Sequence, residues 1–337
     1  MTLPKHEAPE HEAPDDNVRD RFRDAIAPRT LLLGVGVLLL QFAFILSYLG
    51  AFHSPSPHQI PVMVVAPDQL AGSVVEHLNA IPGQPLKATA SDDVRVALAA
   101  LRSGETSGIY VVSAADSHDF AVVASGGGKA LAMAVSDLFN EAAEKYNRTV
   151  SVNDAVPLDD GDERGMSGFY LVLGWAVGGL LFAAAVRRGV WGLGAALLYA
   201  LASGLGGAVI AGPVLGAVDG PFWSVAGIGA LVSLSVATVT IALQSLFGVI
   251  GIGLAVVIVV ILGNPSAGGA YQAPMLPTFW RAISGYLPNS AGTDAIRRIV
   301  YFESHGLTHP IVVLAVWIVG GVALTLVASA ITKRARQ

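Results

Sequence analysis

The chain contains no cysteine, and only 13% of its 337 residues are charged, against roughly 25% in typical soluble proteins. Without cysteine, a disulfide framework and a thiolate metal site are excluded. The histidines are scattered and show no zinc spacing, and no calcium-loop pattern is present. A basic stripe interleaved with aromatic residues is also missing, which disfavours nucleic-acid binding. No catalytic residue, metal ligand or cofactor site is therefore predicted, and the chain is not expected to be an enzyme.

Charge is scarcest between Gly189 and Asn264, where Asp219 is the only formally charged residue. A helix that crosses a bilayer needs roughly 20 apolar residues, at about 1.5 Å each. The run is therefore predicted to hold several membrane spans. Over the whole chain, six spans are predicted: Leu31–Phe52, Ser167–Val186, Trp191–Val218, Trp223–Leu243, Phe247–Leu262 and Ile311–Ile331.

The fourth and fifth spans are separated only by inference. As one helix, Trp223–Leu262 would be roughly 60 Å long, about twice the thickness of the hydrocarbon core. It is therefore expected to fold back, and Gln244-Ser245 is the polar break near its middle. Six spans also place the basic residues that flank the spans on one side of the membrane. These are Arg19, Arg21, Arg23, Arg29, Arg187, Arg188, Lys333, Arg334 and Arg336.

The positive-inside bias then predicts a multi-pass protein of the plasma (inner) membrane, with both termini cytoplasmic and residues 53–166 outside. The first span is interpreted as an uncleaved anchor. Its apolar stretch is longer than the roughly 7–15 residues of a signal-peptide core. A cleaved signal peptide is the alternative.

The predicted fold is an α-helical integral membrane protein with six transmembrane helices in a 1+5 arrangement. Its segments are a cytoplasmic tail with an amphipathic helix (1–29), the first transmembrane helix (30–52), an extracytoplasmic α/β domain (53–166), transmembrane helices two to five (167–262), an extracytoplasmic re-entrant hairpin (263–310) and the last transmembrane helix with a basic tail (311–337). In the N-terminal tail, Val18, Phe22 and Ile26 recur every four residues, which is typical of a helix on the membrane surface. A solvated linker is the alternative.

The α/β domain is predicted from alternating apolar strands and amphipathic helices. Strands are expected at Ile60–Ala66, Leu86–Ala90, Ile109–Val112, Phe120–Ala124 and Thr149–Asn153. The sequence Ser125-Gly126-Gly127-Gly128-Lys129 resembles part of a phosphate loop, but Val123 and Ala130 break the pattern, so a strand-to-helix turn is predicted. The acids that precede the second span are interpreted as a solvated linker, with calcium binding as the alternative. They are Asp159, Asp160, Asp162 and Glu163.

Two short amphipathic helices are predicted between the fifth and sixth spans. The first carries Phe279 and Trp280 and ends at Pro288, and the second opens at Thr293-Asp294. Broken backbone at membrane depth is tolerated beside protein or water, so this segment is predicted to be a re-entrant hairpin. Two helices on the outer surface are the alternative. Trp280 is expected to be buried, and Arg297 and Arg298 to be accessible to water.

No acid, base or histidine lies inside any of the predicted spans. Ion-coupled carriers place such costly groups within their spans, so ion-coupled transport is disfavoured. The spans do carry glycines, including Gly174 and Gly178 at GxxxG spacing, which allow helices to approach closely. Tight packing within one bundle and a dimer face are both compatible with these glycines.

Three stretches carry a resemblance to a known family: Ile60–Ala66 (IPVMVVA), Pro157–Gly165 (PLDDGDERG) and Leu262–Phe302 (LGNPSAGGAYQAPMLPTFWRAISGYLPNSAGTDAIRRIVYF). The third stretch is the most specific. Together with the order of spans and soluble segments, they resemble the type-2 ABC exporter permeases, and more narrowly the phage infection protein branch of that family.

The resemblance implies a homodimeric or paired permease in contact with membrane lipids, with a separate cytosolic ATPase on its inner face. It implies that the hairpin closes the outer mouth of a pathway. Candidate residues for that outer gate are Phe279, Trp280, Arg281, Asp294, Arg297 and Arg298. Candidates for ATPase coupling are Val18, Phe22, Ile26, Arg187 and Arg188. The leading hypothesis is export of an amphipathic or lipid-like substrate, and the alternative is a non-transporting scaffold or receptor for secretion or envelope assembly.

Overall fold

The computed structural model describes residues 28–186 and 188–334, and within them the fold is mainly helical with one small sheet. The helices are α1 (Pro28–Phe52), α2 (Asp68–Asn79), α3 (Val94–Arg102), α4 (Lys129–Glu144), α5 (Ser167–Ala185), α6 (Val190–Val209), α7 (Phe222–Phe247), α8 (Val249–Val256), α9 (Thr278–Ser284), α10 (Pro288–Tyr301) and α11 (Thr308–Arg334). The strands are β1 (Ile60–Val65), β2 (Leu86–Ala90), β3 (Gly108–Val111), β4 (His118–Val123) and β5 (Thr149–Asp154).

Among the described residues, five helices are long and apolar enough to cross a membrane, which agrees with a membrane-embedded protein. They cover Leu31–Phe52, Ser167–Ala185, Val190–Val214, Phe222–Phe247 and Thr308–Ile331. The fifth predicted span, Phe247–Leu262, does not reach that length. Val249–Gly263 is an apolar helix that continues α8 through a π-helical turn. At about 1.5 Å per residue it is roughly 22 Å long, less than the roughly 30 Å hydrocarbon core.

The chain does fold back between α7 and α8, but not at the polar pair that the sequence suggested. Helix α7 continues through Gln244 and Ser245 and ends at Phe247. Gly248 makes the turn alone, with a φ of 63° that residues with a β-carbon rarely adopt. The Gln244 side chain stays within the bundle, where its Nε2 donates to the Ala184 carbonyl at 3.2 Å. The turn therefore depends on backbone freedom at glycine and not on polarity.

Helix α7 is the centre of the bundle, and glycines on four neighbouring helices lie against its backbone. A β-carbon on Gly179 of α5 would lie 2.6 Å from the Ser233 oxygen, and one on Gly321 of α11 would lie 2.7 Å from the Val239 nitrogen. Gly204 of α6 and Gly251 of α8 leave equally little space. Contacts this close between helix backbones require glycine. These glycines therefore act within one bundle.

The sheet has the order β2-β1-β3-β4-β5, and only the β3–β4 pair is antiparallel. All five predicted strands are confirmed, with small shifts at their ends. Helices α2 and α4 cover one face, and the core there includes Ile60, Leu78 and Phe139. The other face packs against α3 and against Phe302, which follows α10. We call the sheet with its helices, residues 60–154, the sheet domain. Its core includes Phe302, which joins it to the predicted hairpin region.

A buried ion pair stabilises the β3–β4 end of the sheet domain. The Asp119 side chain has no exposed surface and accepts from Arg148 Nη2 at 2.6 Å and Nε at 2.7 Å. The Tyr110 hydroxyl donates to it at 2.7 Å and the Ser113 N–H at 2.8 Å. Burial alone would raise the pKa of Asp119, but the hydrogen bonds from Arg148, Tyr110 and Ser113 hold that pKa below its ordinary value.

The acidic stretch before α5 is structured, and the expectation of a purely solvated linker is wrong for Asp162. This side chain is buried, and its Oδ1 accepts from the N–H groups of Met166 and Ser167 at 2.9 and 3.0 Å. Acids are favoured at this position because the first N–H groups of a helix have no partner within it. Burial, followed by the charge of Asp219, raises the pKa of Asp159.

Candidate functional site

The predicted hairpin consists of α9 and α10, and α10 begins earlier than expected. Pro288 is the first residue of α10, so it starts the helix that Thr293-Asp294 was expected to open. Proline suits this position because its φ is already helical and the missing N–H would have no partner there. We refer to Thr278–Tyr301 as the hairpin, and to residues 263–310, which contain it, as the hairpin region.

The buried face of α10 is unusually polar. Asn289 is 1% exposed, and its Nδ2 donates to Asn264 Oδ1 at 2.6 Å and to the Val259 carbonyl at 3.2 Å. Val259 lies in the π-helical turn, where the backbone departs from regular α-helical bonding. Ser290 and Thr293 are also buried, and both donate to carbonyls of the hairpin. The Asn289 side chain of the hairpin thus bonds to the end of the short Val249–Gly263 helix and to the residue that follows it.

The hairpin region docks on the glycine turn of the sheet domain. As predicted, residues 125–127 form a turn between β4 and α4. A β-carbon on Gly126 would lie 2.7 Å from Tyr301 Cγ, and one on Gly127 would lie 3.3 Å from the Phe302 ring. The Gln272 side chain lies against Gly128 so closely that a β-carbon there has no space. The three glycines are therefore a contact surface, which the sequence analysis missed.

Replacing Gly126 with Ala is expected to loosen this contact, because the new methyl group would also lie 2.9 Å from Tyr301 Cβ, close to the helix backbone. The reporter is a single cysteine at Ala124, which is 6% exposed and packs against Phe302. We expect its labelling by a thiol reagent to accelerate about tenfold. This corresponds to a decrease of about 1.4 kcal/mol in the free energy of opening.

The control for this variant is Gly72→Ala in α2, where a β-carbon meets no atom within 4 Å. It should leave labelling of the cysteine at position 124 unchanged. If Gly126→Ala labels no faster than this control, the contact between Tyr301 and Gly126 does not hold the hairpin region to the sheet domain.

A cavity of about 360 Å³ lies between the sheet domain and the hairpin region. We call it the hairpin cavity. Its lining includes Thr106, Leu131, Gly268, Gln272, Asp294, Arg297, Arg298 and His309. The size falls within the roughly 300–1,000 Å³ of small-molecule pockets. No sequence motif pointed to it, because its walls come from segments far apart in the chain.

The six predicted gate residues divide into two groups. Asp294, Arg297 and Arg298 line the hairpin cavity, whereas Phe279, Trp280 and Arg281 do not. Asp294 and Arg298 form an ion pair at 2.9 Å. Arg297 was expected to be open to water, but it is only partly exposed, and its Nη2 donates to the Gly268 carbonyl at 2.8 Å.

The first half of the hairpin confirms the predicted burial of Trp280 and leaves its neighbour Phe279 exposed. Trp280 is buried, as predicted, in a cluster with Ala51 and Leu276. Phe279 is 57% exposed, so it is not part of the apolar core of the hairpin. Arg281 bonds locally, to the Leu276 carbonyl and the Thr278 hydroxyl, both at 3.4 Å. These contacts fix α9 in place without creating a binding surface.

The predicted coupling residues are mostly beyond the described part of the chain. Val18, Phe22, Ile26 and Arg187 lie outside the described residues. Arg188 is exposed, and its Nη1 is 3.8 Å from the position of a β-carbon on Gly248. The α5–α6 connection and the α7–α8 turn therefore meet at one end of the bundle.

Comparison with models of protein families, with curated proteins and with solved structures finds no match to this chain.

Proposed function

We propose that the chain is the membrane permease subunit of a type-2 ABC-like exporter for an amphipathic or lipid-like substrate, powered by a separate ATPase. The observation that carries this proposal is the hairpin, which is folded between the helix bundle and the sheet domain and whose residues Asp294, Arg297 and Arg298 line the hairpin cavity. A pathway that must stay closed to ions needs an ordered element at its mouth, and the hairpin has the position and the polar interior for that role.

The buried amides of the hairpin support this role. Asn289 and Asn264 bond to each other at 2.6 Å among apolar helices, where unpaired polar groups are costly. At membrane depth, irregular backbone is tolerated where it is buried in protein or lines a water-filled space. A polar contact that two amides make with each other can be exchanged for water or substrate. This suits an element that opens and closes.

We infer that a partner supplies the energy, since the predicted spans hold no acid, base or histidine for an ion relay. Arg188 and Gly248 mark the end of the bundle that we assign to the cytoplasm. There an ATPase would contact the α5–α6 connection, and a second copy of the chain would complete the pathway.

The alternative function, a non-transporting receptor or scaffold, is favoured by one specific observation. The described connections at the Arg188 end are very short: residues 186–189 join α5 to α6, and Gly248 alone joins α7 to α8. They offer little surface to an ATPase. On the other side, strand β5 is an exposed sheet edge, and such edges can pair with another chain.

Single cysteines in the cysteine-free chain separate the two functions. In membranes of the native host, Arg188→Cys tests the proposed inner end and Val152→Cys tests the β5 edge. Ala282→Cys, exposed on α9, is the control position. A thiol-to-amine crosslinker is expected to capture an ATP-binding subunit from position 188 and not from position 282. Capture of an envelope or secretion protein from position 152, with no ATP-binding protein at 188, would replace the permease with the receptor.

A further inference from the structure

The hairpin cavity contains a cation without a counter-ion. Arg297 contributes five N–H groups in a planar fork, and only one of them has a protein acceptor among the described residues, the Gly268 carbonyl. No described carboxylate lies within 4.0 Å of its nitrogens, and the nearby Asp294 is paired with Arg298. A partly buried guanidinium without a counter-ion favours an anion beside it.

The same cavity contains an acceptor without a donor. Gln272 is 6% exposed, and its Oε1 has no hydrogen-bond partner. Its Nε2 donates to the Gly268 carbonyl at 3.4 Å, the same oxygen that accepts from Arg297. The two side chains therefore converge on one side of the cavity. A buried polar atom left unpaired costs about 1–3 kcal/mol, which a ligand donor would relieve.

We propose that the hairpin cavity binds a small anionic group, a phosphate or carboxylate, that carries a hydroxyl or amine next to it. Arg297 takes the anion through its free N–H groups, in the forked geometry that suits such oxygens. Gln272 Oε1 accepts from the neighbouring hydroxyl or amine. Asp294 adds no net repulsion because Arg298 neutralises it, and His309 lies on the same lining.

Such a group occurs free in solution and as the headgroup of a lipid, and the cavity chemistry is the same for both. This inference deepens the proposed function, and it rests on that proposal only in treating the ligand as a substrate. Binding can be measured without an ATPase and without transport. A failure of binding is therefore distinguishable from a failure of export.

The test uses the purified full-length chain in detergent and follows its thermal unfolding midpoint. The soluble probe is sn-glycerol 3-phosphate, with glycerol as its neutral counterpart. The lipid probe is lysophosphatidic acid, with monoacylglycerol as its neutral counterpart. We expect a saturable rise of the midpoint with one or both phosphate probes and none with their counterparts, because a ligand that binds the folded state stabilises it. A rise with the lipid probe alone identifies the lipid as the source.

Two variants test the assigned atoms. Arg297→Gln should weaken binding of the phosphate probe at least tenfold, while Arg297→Lys, which keeps the charge, should retain part of it and shows that loss is not misfolding. Gln272→Met keeps the side-chain length and removes the amide acceptor. It should weaken sn-glycerol 3-phosphate and leave inorganic phosphate unchanged. Arg95→Gln, on the exposed face of α3, is the control and should bind like the wild type.

Absence of any midpoint rise in the wild type with both phosphate probes overturns the proposal. An equal rise in Arg297→Gln and in the wild type also overturns it, because the anion would then bind elsewhere. Rises of equal size with the neutral counterparts would overturn it as well, because the site would then not select for the anion.

Discussion

Replacing Arg148 with Met is expected to destabilise the sheet domain by about 3–5 kcal/mol, the usual cost of breaking a buried ion pair. The change leaves the Asp119 carboxylate, which has no exposed surface, without its charged partner. Tyr110 and the Ser113 N–H would remain as neutral donors. The loss of stability therefore comes mainly from the unpaired charge of Asp119.

A buried reporter cysteine at Ala97, which is 0% exposed on α3, makes the loss measurable in the full-length chain. At one decade per 1.4 kcal/mol, labelling through domain opening should accelerate by about 100-fold or more in Arg148→Met. The matched control is Arg95→Met, which removes an ion pair whose side chains are 89% and 38% exposed. Exposed pairs contribute about 0–1 kcal/mol, so labelling should change little. Equal effects of the two substitutions would contradict the assigned role of Asp119.

The pH dependence of the same reporter gives a second check. The pKa of Asp119 is lower in the folded domain than in the unfolded chain, where it is about 3.9. The stabilisation is therefore complete above pH 3.9 and is lost as the pH falls through the folded value. With an acid-tolerant pyridyl disulfide, wild-type labelling should accelerate below pH 4. Labelling of the Arg148→Met variant should accelerate less over the same pH range, because protonation removes the unpaired buried charge of Asp119.

Replacing Gly204 with Ala is expected to disrupt the packing of α6 on α7. The added methyl group would lie 2.6 Å from the backbone nitrogen of Ala230, and backbone cannot move aside as a flexible side chain can. Overpacking of this kind costs about 1–3 kcal/mol, and more where a whole helix must shift. We expect the thermal unfolding midpoint of the purified protein to fall by several degrees.

The control for this change lies two residues away on the same helix. A β-carbon on Gly206 meets no atom within 4 Å, so Gly206→Ala adds a better helix former without a clash. Alanine is favoured over glycine in helices by up to about 1 kcal/mol, so this variant should be neutral or slightly more stable. Opposite signs at positions 204 and 206 are the expected outcome. A similar loss at both would mean that chain flexibility, and not close contact with α7, explains the glycines.

The sheet domain was largely predictable because its signals are local. Strand β1 alternates between buried and half-buried residues, and helix α4 repeats Leu131, Val135 and Ala142 on its buried face. The long apolar helices were equally clear, because their length and lack of charge do not depend on what they contact. Trp280 could be predicted to be buried for a similar reason, since a large apolar side chain on an amphipathic helix faces the core.

The features that were missed depend on contacts between distant segments. Gly126 and Tyr301 are far apart in the chain, and no periodicity links them. The same holds for the convergence of Arg297 and Gln272 on one carbonyl oxygen. A glycine turn without a complete phosphate-loop pattern could have signalled a close approach by another segment. Which segment makes that approach could not have been identified from the sequence.

The short helix Val249–Gly263 has a consequence for the lipid around the protein. In the proposed six-span topology, a helix roughly 22 Å long beside neighbours that match a roughly 30 Å hydrocarbon core would create a local mismatch on one side of the molecule. Bilayers respond to such mismatch by thinning, at fractions of a kcal/mol per Å. Because Asn289 bonds to the last turns of this helix, a change in membrane thickness would act directly on the hairpin. Lipid chain length thus becomes a variable that can bias the hairpin without any ligand.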